Sequence, residues 1–160
     1  MLDQPIAPEA ETKEDGTGRR IGIVSQIDEQ RLCEGFKDVW CALIQRRMPQ
    51  PDPAALILEA PFTSVPDMAE MHYPGSGALA AKFDNQWPSL KRAKQVDVPL
   101  LVLHGTNDEL IPIEMGRQIY AAAPSREKSF LTVSGGGHTD LWRPDTLPRL
   151  WHFVDQFAFR

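Results

Sequence analysis

Short apolar runs, separated by polar, proline-rich or glycine-rich stretches, recur along most of the chain. The runs AALIL at 54–58 and VPLLVL at 98–103 are too short for helices and do not alternate with polar residues. Both features are typical of strands that are buried on both faces. FLTV at 130–133 is a weaker example, and RIGIV at 20–24 is a fourth candidate. We therefore expect three or four strands.

Helical spacing appears between and after these runs, at about 29–46, 113–123 and 147–157. In each segment apolar residues recur every three or four positions, so that one face of a helix is apolar. We interpret the stripe from Trp151 to Phe157 in the last segment as core packing, with a partner surface as the alternative. Strands that alternate with helices predict an α/β fold with a mostly parallel sheet.

Composition divides the chain into three parts. Residues 1–18 are rich in acidic residues, proline and glycine and have no aromatic side chain, which predicts a disordered lead. Residues 19–53 form a predicted strand and helix followed by the linker MPQPDP. Residues 54–160 contain the remaining strands and helices. With 160 residues, the chain is long enough to bury a core in one domain.

Charge and apolar run length exclude several classes of protein. The net charge is −5 and there is no dense Lys/Arg cluster, so we predict no nucleic-acid partner. No apolar run approaches the roughly 18 residues of a transmembrane helix, and the acidic first residues do not resemble a signal peptide. Cys33 and Cys41 lie too far apart within one predicted helix to form a disulfide. We therefore predict a reducing, cytoplasmic location.

Two polar loops follow neighbouring predicted strands. The loop after 98–103 contains Asp108 within HGTNDELIP, and the loop after 130–133 contains His138 within SGGGH. Catalytic groups of parallel sheets lie just past the carboxyl ends of the strands. Taken singly, Asp108 is typical of a turn former and His138 of a solvated loop residue. Together they have the order of the acid and base of a Ser-His-Asp triad, and we expect them to meet.

The stretch from Ala54 to Leu141 resembles the carboxyl-terminal half of an α/β-hydrolase. It is similar to the membrane-associated serine hydrolases related to depalmitoylases and serine aminopeptidases. The motifs LILEAPFTSVPDMA, PLLVLHGTNDELIP and SGGGHTDLW occur in the order of that family. The resemblance implies a truncated α/β-hydrolase fold, with Asp108 as triad acid and His138 as triad base. It also implies that residues 61–88 form a short, variable cap over the substrate cleft.

The nucleophile is the part of the resemblance that is missing. The family places its serine in a G-x-S-x-G turn, because the strained backbone requires small neighbours, and this chain has no such motif. The HGG-type loop of the oxyanion hole is also missing. Ser25 follows a predicted strand, but Ile23 and Ile27 occupy the positions that need small residues. Ser25 is therefore more typical of a strand end or N-cap, while Cys33 and Cys41 fit buried apolar positions better than nucleophiles.

The other histidines suggest structural positions. His104, at a predicted strand end, is typical of a structural residue, with a place in the cleft as the alternative. His72 fits the cap, and His152 fits a helix surface. No spacing of His, Cys and Glu around Asp108 and His138 is typical of a metal site, so we predict no metal and no cofactor.

Two functional hypotheses remain. The first is a truncated serine hydrolase whose complete relatives cleave esters, thioesters or amides of small-molecule or lipid-like acyl substrates, and which alone hydrolyses p-nitrophenyl esters at a trace rate. The second is a non-catalytic binding protein that reuses the hydrolase cleft and sheet edge. An open sheet edge beside AALIL predicts self-association or a partner. A shifted reading frame or start site in residues 1–50 is a further possibility.

Overall fold

Four parallel strands form one sheet in the part of the chain that the structure, a computed structural model, describes. The described residues are 21–24, 54–83 and 86–158. In the order of the sheet, which is also their order in the chain, the strands are β1 (Ile21–Val24), β2 (Ala55–Glu59), β3 (Leu100–Gly105) and β4 (Lys128–Val133). All three neighbouring pairs are parallel. The predicted α/β class is confirmed, and β4 begins before the FLTV run.

Five helices are described. They are α1 (Val65–His72), α2 (Gly77–Ala80), α3 (Ser89–Ala93), α4 (Ile113–Ala122) and α5 (Leu147–Ala158). Helices α4 and α5 match two of the predicted segments, and α1 and α2 lie in the stretch that we interpreted as a cap. The predicted helix at 29–46 and the predicted disordered lead fall outside the described residues. No described helix is long and apolar enough to cross a membrane.

The core lies on both faces of the sheet, because the side chains of a strand alternate between its two faces. On one face, Ala55 and Ile57 of β2 pack in a cluster with Leu150, Phe153 and Phe157 of α5. The other face holds a second buried cluster from β2, β3, α3 and α4, which comprises Leu56, Leu58, Ala93, Val96, Leu100, Val102, Ile119 and Ala123. Every residue of β2 and β3 is buried, which explains why the runs at 55–58 and 100–103 within them are apolar without alternation.

Two expectations about packing are corrected. The strand that contains AALIL is not an open edge, because β1 pairs with β2 from Ile21 opposite Ala55 to Val24 opposite Leu58. The self-association that we expect stays a prediction. Trp151 does not pack in the core, since it is 47% exposed whereas Phe153 is 6% exposed. Both residues lie on α5, and the helix faces the sheet with Leu150, Phe153 and Phe157, which are spaced at three and four positions.

Candidate active site

The loop between β3 and α4 folds tightly around the carboxylate of Asp108. Its Oδ1 accepts hydrogen bonds from the backbone N–H groups of Leu110, at 3.0 Å, and Ile111, at 2.8 Å. Asp side chains commonly close turns in this way, by binding backbone groups two and three residues ahead. The Asp108 side chain is fully buried. The turn therefore holds the carboxylate in one orientation and leaves its Oδ2 facing the neighbouring loop.

His138 occupies that position, in the loop after β4. Its Nδ1 lies 2.9 Å from Asp108 Oδ2, and its side chain is 16% exposed. Because an ionised carboxylate only accepts, Nδ1 carries the proton and Nε2 of the neutral ring is an acceptor. An imidazole held through Nδ1 in this way can take a proton at Nε2. The two side chains that the sequence placed in successive loops thus meet in the structure.

Backbone hydrogen bonds join the two loops to each other. Thr106 N donates to Val133 O at 3.0 Å, and Asn107 N donates to Gly136 O at 2.9 Å. In the opposite direction, Gly135 N donates to Thr106 Oγ1 at 2.8 Å. The relative position of Asp108 and His138 therefore depends on these contacts between the loops as well as on their own hydrogen bond.

Glycines make this close approach possible. A Cβ atom added to Gly105, the last residue of β3, would lie 2.2 Å from Gly136 O and 2.6 Å from Gly137 O. Real Cβ atoms do not come this close to backbone, so neither loop could keep its place. Gly135 has φ +68°, a left-handed conformation that glycine adopts without steric cost. The SGGGH motif thus serves the packing of the two loops as well as the presentation of His138.

A second histidine, His104, also lies beside Asp108. His104 in β3 is completely buried, and its Nε2 donates to the backbone carbonyl of Ile111 at 2.9 Å. The same nitrogen lies 3.5 Å from Asp108 Oδ2. Burial lowers the pKa of His104, against the opposing effects of the Ile111 hydrogen bond and the Asp108 charge. His104 is therefore an interior residue, and its alternative place in the cleft is not observed.

The 61–88 segment contacts the Asp108 loop through a hydrogen bond that the sequence did not predict. His72, at the end of α1, is exposed, and its Nε2 donates to Leu110 O at 2.9 Å. Three large apolar side chains of the same segment are exposed, namely those of Tyr73, Leu79 and Phe83. The 61–88 segment thus contacts the turn that holds Asp108 and has exposed apolar side chains. His152, in contrast, lies exposed on α5, as predicted.

The remaining candidates are not brought into this site by any described contact. Ser25 directly follows β1 in the chain and lies outside the described residues, as do Cys33 and Cys41. Because the strands are parallel, the carboxyl end of β1 lies at the same sheet edge as the ends of β3 and β4. Within the described ranges, no group of three or more His, Cys, Asp and Glu side chains could hold a metal ion.

Comparison with known proteins gives consistent results. A family model described as serine aminopeptidase matches residues 86–143. An uncharacterised protein of Mycobacterium tuberculosis is 32% identical over 116 residues, covering 72% of this chain and 41% of that protein. The lysophosphatidylserine lipase ABHD12 of Rattus norvegicus is 31% identical over 160 residues, covering 84% of this chain and 34% of that protein. This chain thus spans well under half the length of these relatives.

Among solved structures, an esterase from Rhodococcus has a similar fold, with a TM-score of 0.55 and 14% sequence identity. The match covers 86% of this chain and 65% of the esterase. At this level of identity the likeness concerns the fold alone. It extends the sequence similarity to the arrangement of strands and helices.

Proposed function

This chain belongs to the α/β-hydrolase superfamily, and from that premise we propose that it contributes the acid and the base of a serine-hydrolase site. Asp108 is the acid and His138 the base. The observation that carries the proposal is the 2.9 Å contact between Asp108 Oδ2 and His138 Nδ1, at the carboxyl edge of a parallel sheet. The reaction class is transfer of an acyl group from an ester, thioester or amide to water.

The chemistry follows from this orientation of the imidazole. A serine hydroxyl within reach of His138 Nε2 loses its proton to that nitrogen as its oxygen bonds to the acyl carbon. The positive charge that develops on the ring is stabilised by the Asp108 carboxylate. The ring then returns the proton to the leaving group as the acyl bond breaks. Water repeats the two proton transfers, releases the acid and regenerates the serine.

The proposed substrate is a small or lipid-like molecule with an acyl chain. One relative is named a lysophosphatidylserine lipase, and the exposed side chains of Tyr73, Leu79 and Phe83 give the cap an apolar surface that suits a hydrocarbon chain. The cytoplasmic location also stays a proposal, supported by the two unpaired cysteines that the predicted helix implies.

The nucleophile is the open part of the proposal. Because the 160 residues contain no G-x-S-x-G motif, we expect the chain alone to hydrolyse p-nitrophenyl esters only at a trace rate and not to react with a fluorophosphonate. Ser25 is the first residue to test. Rapid fluorophosphonate labelling that disappears in Ser25→Ala would identify it as the nucleophile and overturn our rejection of it.

The acid and base are tested by the dependence of this trace rate on individual histidines. An imidazole held by a carboxylate can act on an activated ester by itself, so His138→Ala should reduce the rate to background and Asp108→Asn should lower it. His152→Ala is the matched control, because His152 is an exposed histidine outside the site. Equal rates in His138→Ala and His152→Ala would refute the proposed role of His138.

A second candidate is a binding protein that no longer performs the reaction. The missing nucleophile motif, together with the apolar surface of the cap, favours it. This candidate predicts that the chain binds a fluorescent fatty acid, and that Phe83→Ser weakens this binding while fluorophosphonate labelling and His138-dependent hydrolysis are both absent. Labelling at any serine would exclude it.

A further inference from the structure

His104 makes contacts that a space-filling core histidine does not need. Its Nε2 donates to Ile111 O at 2.9 Å, and Ile111 N donates in turn to Asp108 Oδ1 at 2.8 Å. The two polar groups of Ile111 thus link His104 to Asp108, and the other carboxylate oxygen receives His138. A chain of hydrogen bonds runs from the interior of the sheet through Ile111 and Asp108 to His138.

The direction of each bond in this chain is fixed by chemistry. A carbonyl only accepts, so Nε2 of His104 must carry a proton. This N–H group also lies near Asp108 Oδ2, at 3.5 Å, which is too long for a hydrogen bond but close enough for its positive end to stabilise the carboxylate. Nε2 of His104 and Nδ1 of His138 therefore both lie close to Asp108 Oδ2.

The environment of the other ring nitrogen of His104 favours the neutral form of the ring. Among the described residues Nδ1 has no hydrogen-bond partner, and it faces Gly116 of α4, where an added Cβ would lie 2.4 Å away. A proton on Nδ1 would be buried without an acceptor among the described residues, which is unfavourable. Of the nearby charged groups, Asp108 and Glu114 raise the pKa of His104 and His138 lowers it, but burial is the largest influence and the net shift is downward.

We infer that His104 is a positioning residue of the acid–base pair: its Nε2–H, fixed on the Ile111 carbonyl, holds the turn that orients the Asp108 carboxylate toward His138. The catalytic meaning of this inference rests on the proposed function. The geometry itself does not, since the hydrogen bond between Asp108 and His138 can be observed without turnover.

The test is nuclear magnetic resonance of the full chain, labelled with ¹⁵N. A histidine Nδ1–H bonded to a buried carboxylate gives a proton signal far downfield, and Asp108→Asn assigns it by removing it. His104→Gln keeps a side-chain amide donor near the position of Nε2, whereas His104→Met has a similar size and no donor. We expect the His138 Nδ1–H signal to be present in the wild type and in His104→Gln and to be absent in His104→Met. His152→Gln is the control.

A role in stability alone would lower the melting temperature of both His104 variants and leave the signal unchanged. Equal signals in His104→Met and His104→Gln, or no signal in the wild type, would therefore overturn the inference. If His104→Met does not fold, the ¹⁵N chemical shifts of the His104 ring in the wild type test the inference instead. They must show a neutral His104 protonated at Nε2 at pH 7, and a charged ring or an Nδ1–H form would refute the inference.

The proposed function and this inference can fail separately. If the signal depends on His104 as expected but hydrolysis does not depend on His138, the positioning stands and the proposed reaction is wrong. If hydrolysis depends on His138 and is equal in His104→Met and His104→Gln, the reaction stands and the positioning role is wrong.

Discussion

The two loops that carry Asp108 and His138 differ from the cap at 61–88 in how they are held. The loops bind each other through backbone groups, and Gly105 lets them approach until no Cβ fits between them. In the cap, none of the residues of α1 is buried. Local contacts in this segment include the Ser64 side chain, which caps α1, and the Glu70 carboxylate, which binds two backbone N–H groups nearby.

This difference follows from what each region does in the proposed reaction. Proton transfer requires donor and acceptor within a few tenths of an ångström of their positions, which backbone contacts can fix. A surface that meets acyl chains of different lengths gains from side chains that rearrange. Regions with few buried contacts also open at low free-energy cost. In the function that we propose, the loops of Asp108 and His138 would provide fixed geometry, and the 61–88 segment would adapt to the substrate.

The largest predicted effect is that of Gly105→Ala. The added Cβ would lie 2.2 Å from Gly136 O, so β3 and the His138 loop must separate. We expect a loss of about 3 kcal/mol in the free energy of unfolding, measured by denaturant titration, because backbone has little freedom to move away.

The cap glycine Gly75 gives the matched comparison. Its φ is +91° but nothing lies within 4 Å of an added Cβ. Gly75→Ala should therefore lower the free energy of unfolding only by the strain of its backbone conformation, about 1 kcal/mol. Equal losses in the two variants would show that the loops are no more tightly packed than the cap.

The next effect concerns pH. Burial lowers the pKa of His104, so the unfolded chain, in which a histidine titrates near pH 6.5, binds more protons than the folded chain as the pH falls. The free energy of unfolding should therefore decrease below about pH 6.5. His104→Gln removes the titrating group and should flatten this dependence relative to His152→Gln. A slope that is the same in both variants contradicts the prediction.

A smaller effect is expected at the contact between the two regions. His72→Ala removes the hydrogen bond to Leu110 O, which is exposed and worth about 0.5 kcal/mol. The effect is measured by hydrogen exchange of the Ile111 amide, whose N–H group donates a hydrogen bond to the Asp108 carboxylate. Faster exchange in His72→Ala than in His152→Ala would show that the cap supports the acid loop. Unchanged exchange would show that the two regions are independent.

The smallest effect is expected within the cap. The backbone N–H groups of Gly75 and Gly77 lower the pKa of the Glu70 carboxyl, so the charged form supports this turn at neutral pH. Glu70→Gln should weaken the turn and speed limited proteolysis between Tyr73 and Gly77. The difference should persist at the ordinary value of 4.5 and vanish only at lower pH, as the pH falls through the lowered pKa of the wild-type carboxyl. Identical cleavage rates of the wild type and Glu70→Gln at pH 7 would contradict this prediction.

The sequence predicted the strands well because β2 and β3 are buried on both faces, which leaves apolar runs with no polar interruption. It was less informative for β4, in which buried and exposed residues alternate near the end. The sequence did not show which side of α5 packs against the sheet. Trp151 and Phe153 are both large and aromatic, and a small rotation of the helix about its axis would bury one of them instead of the other.

The site was predictable as far as it depends on strand ends. Asp108 and His138 each follow a recognisable strand, and neighbouring parallel strands bring such loops together. The contact between His72 and Leu110 was not predictable, since 38 residues separate them and no periodicity fixes where the cap lies. The link from His104 through Ile111 was also missed, because it uses backbone groups that the sequence does not display.

The acid and the base are 30 residues apart in the chain and are separated only by β4, α4 and the connecting loops. One continuous stretch from β3 to His138 therefore encodes both groups together with the strands that set their spacing. A genetic rearrangement upstream of β3 can exchange everything before it and still transmit this pair intact. The proposed acid–base pair can thus be inherited as one piece, independently of a nucleophile.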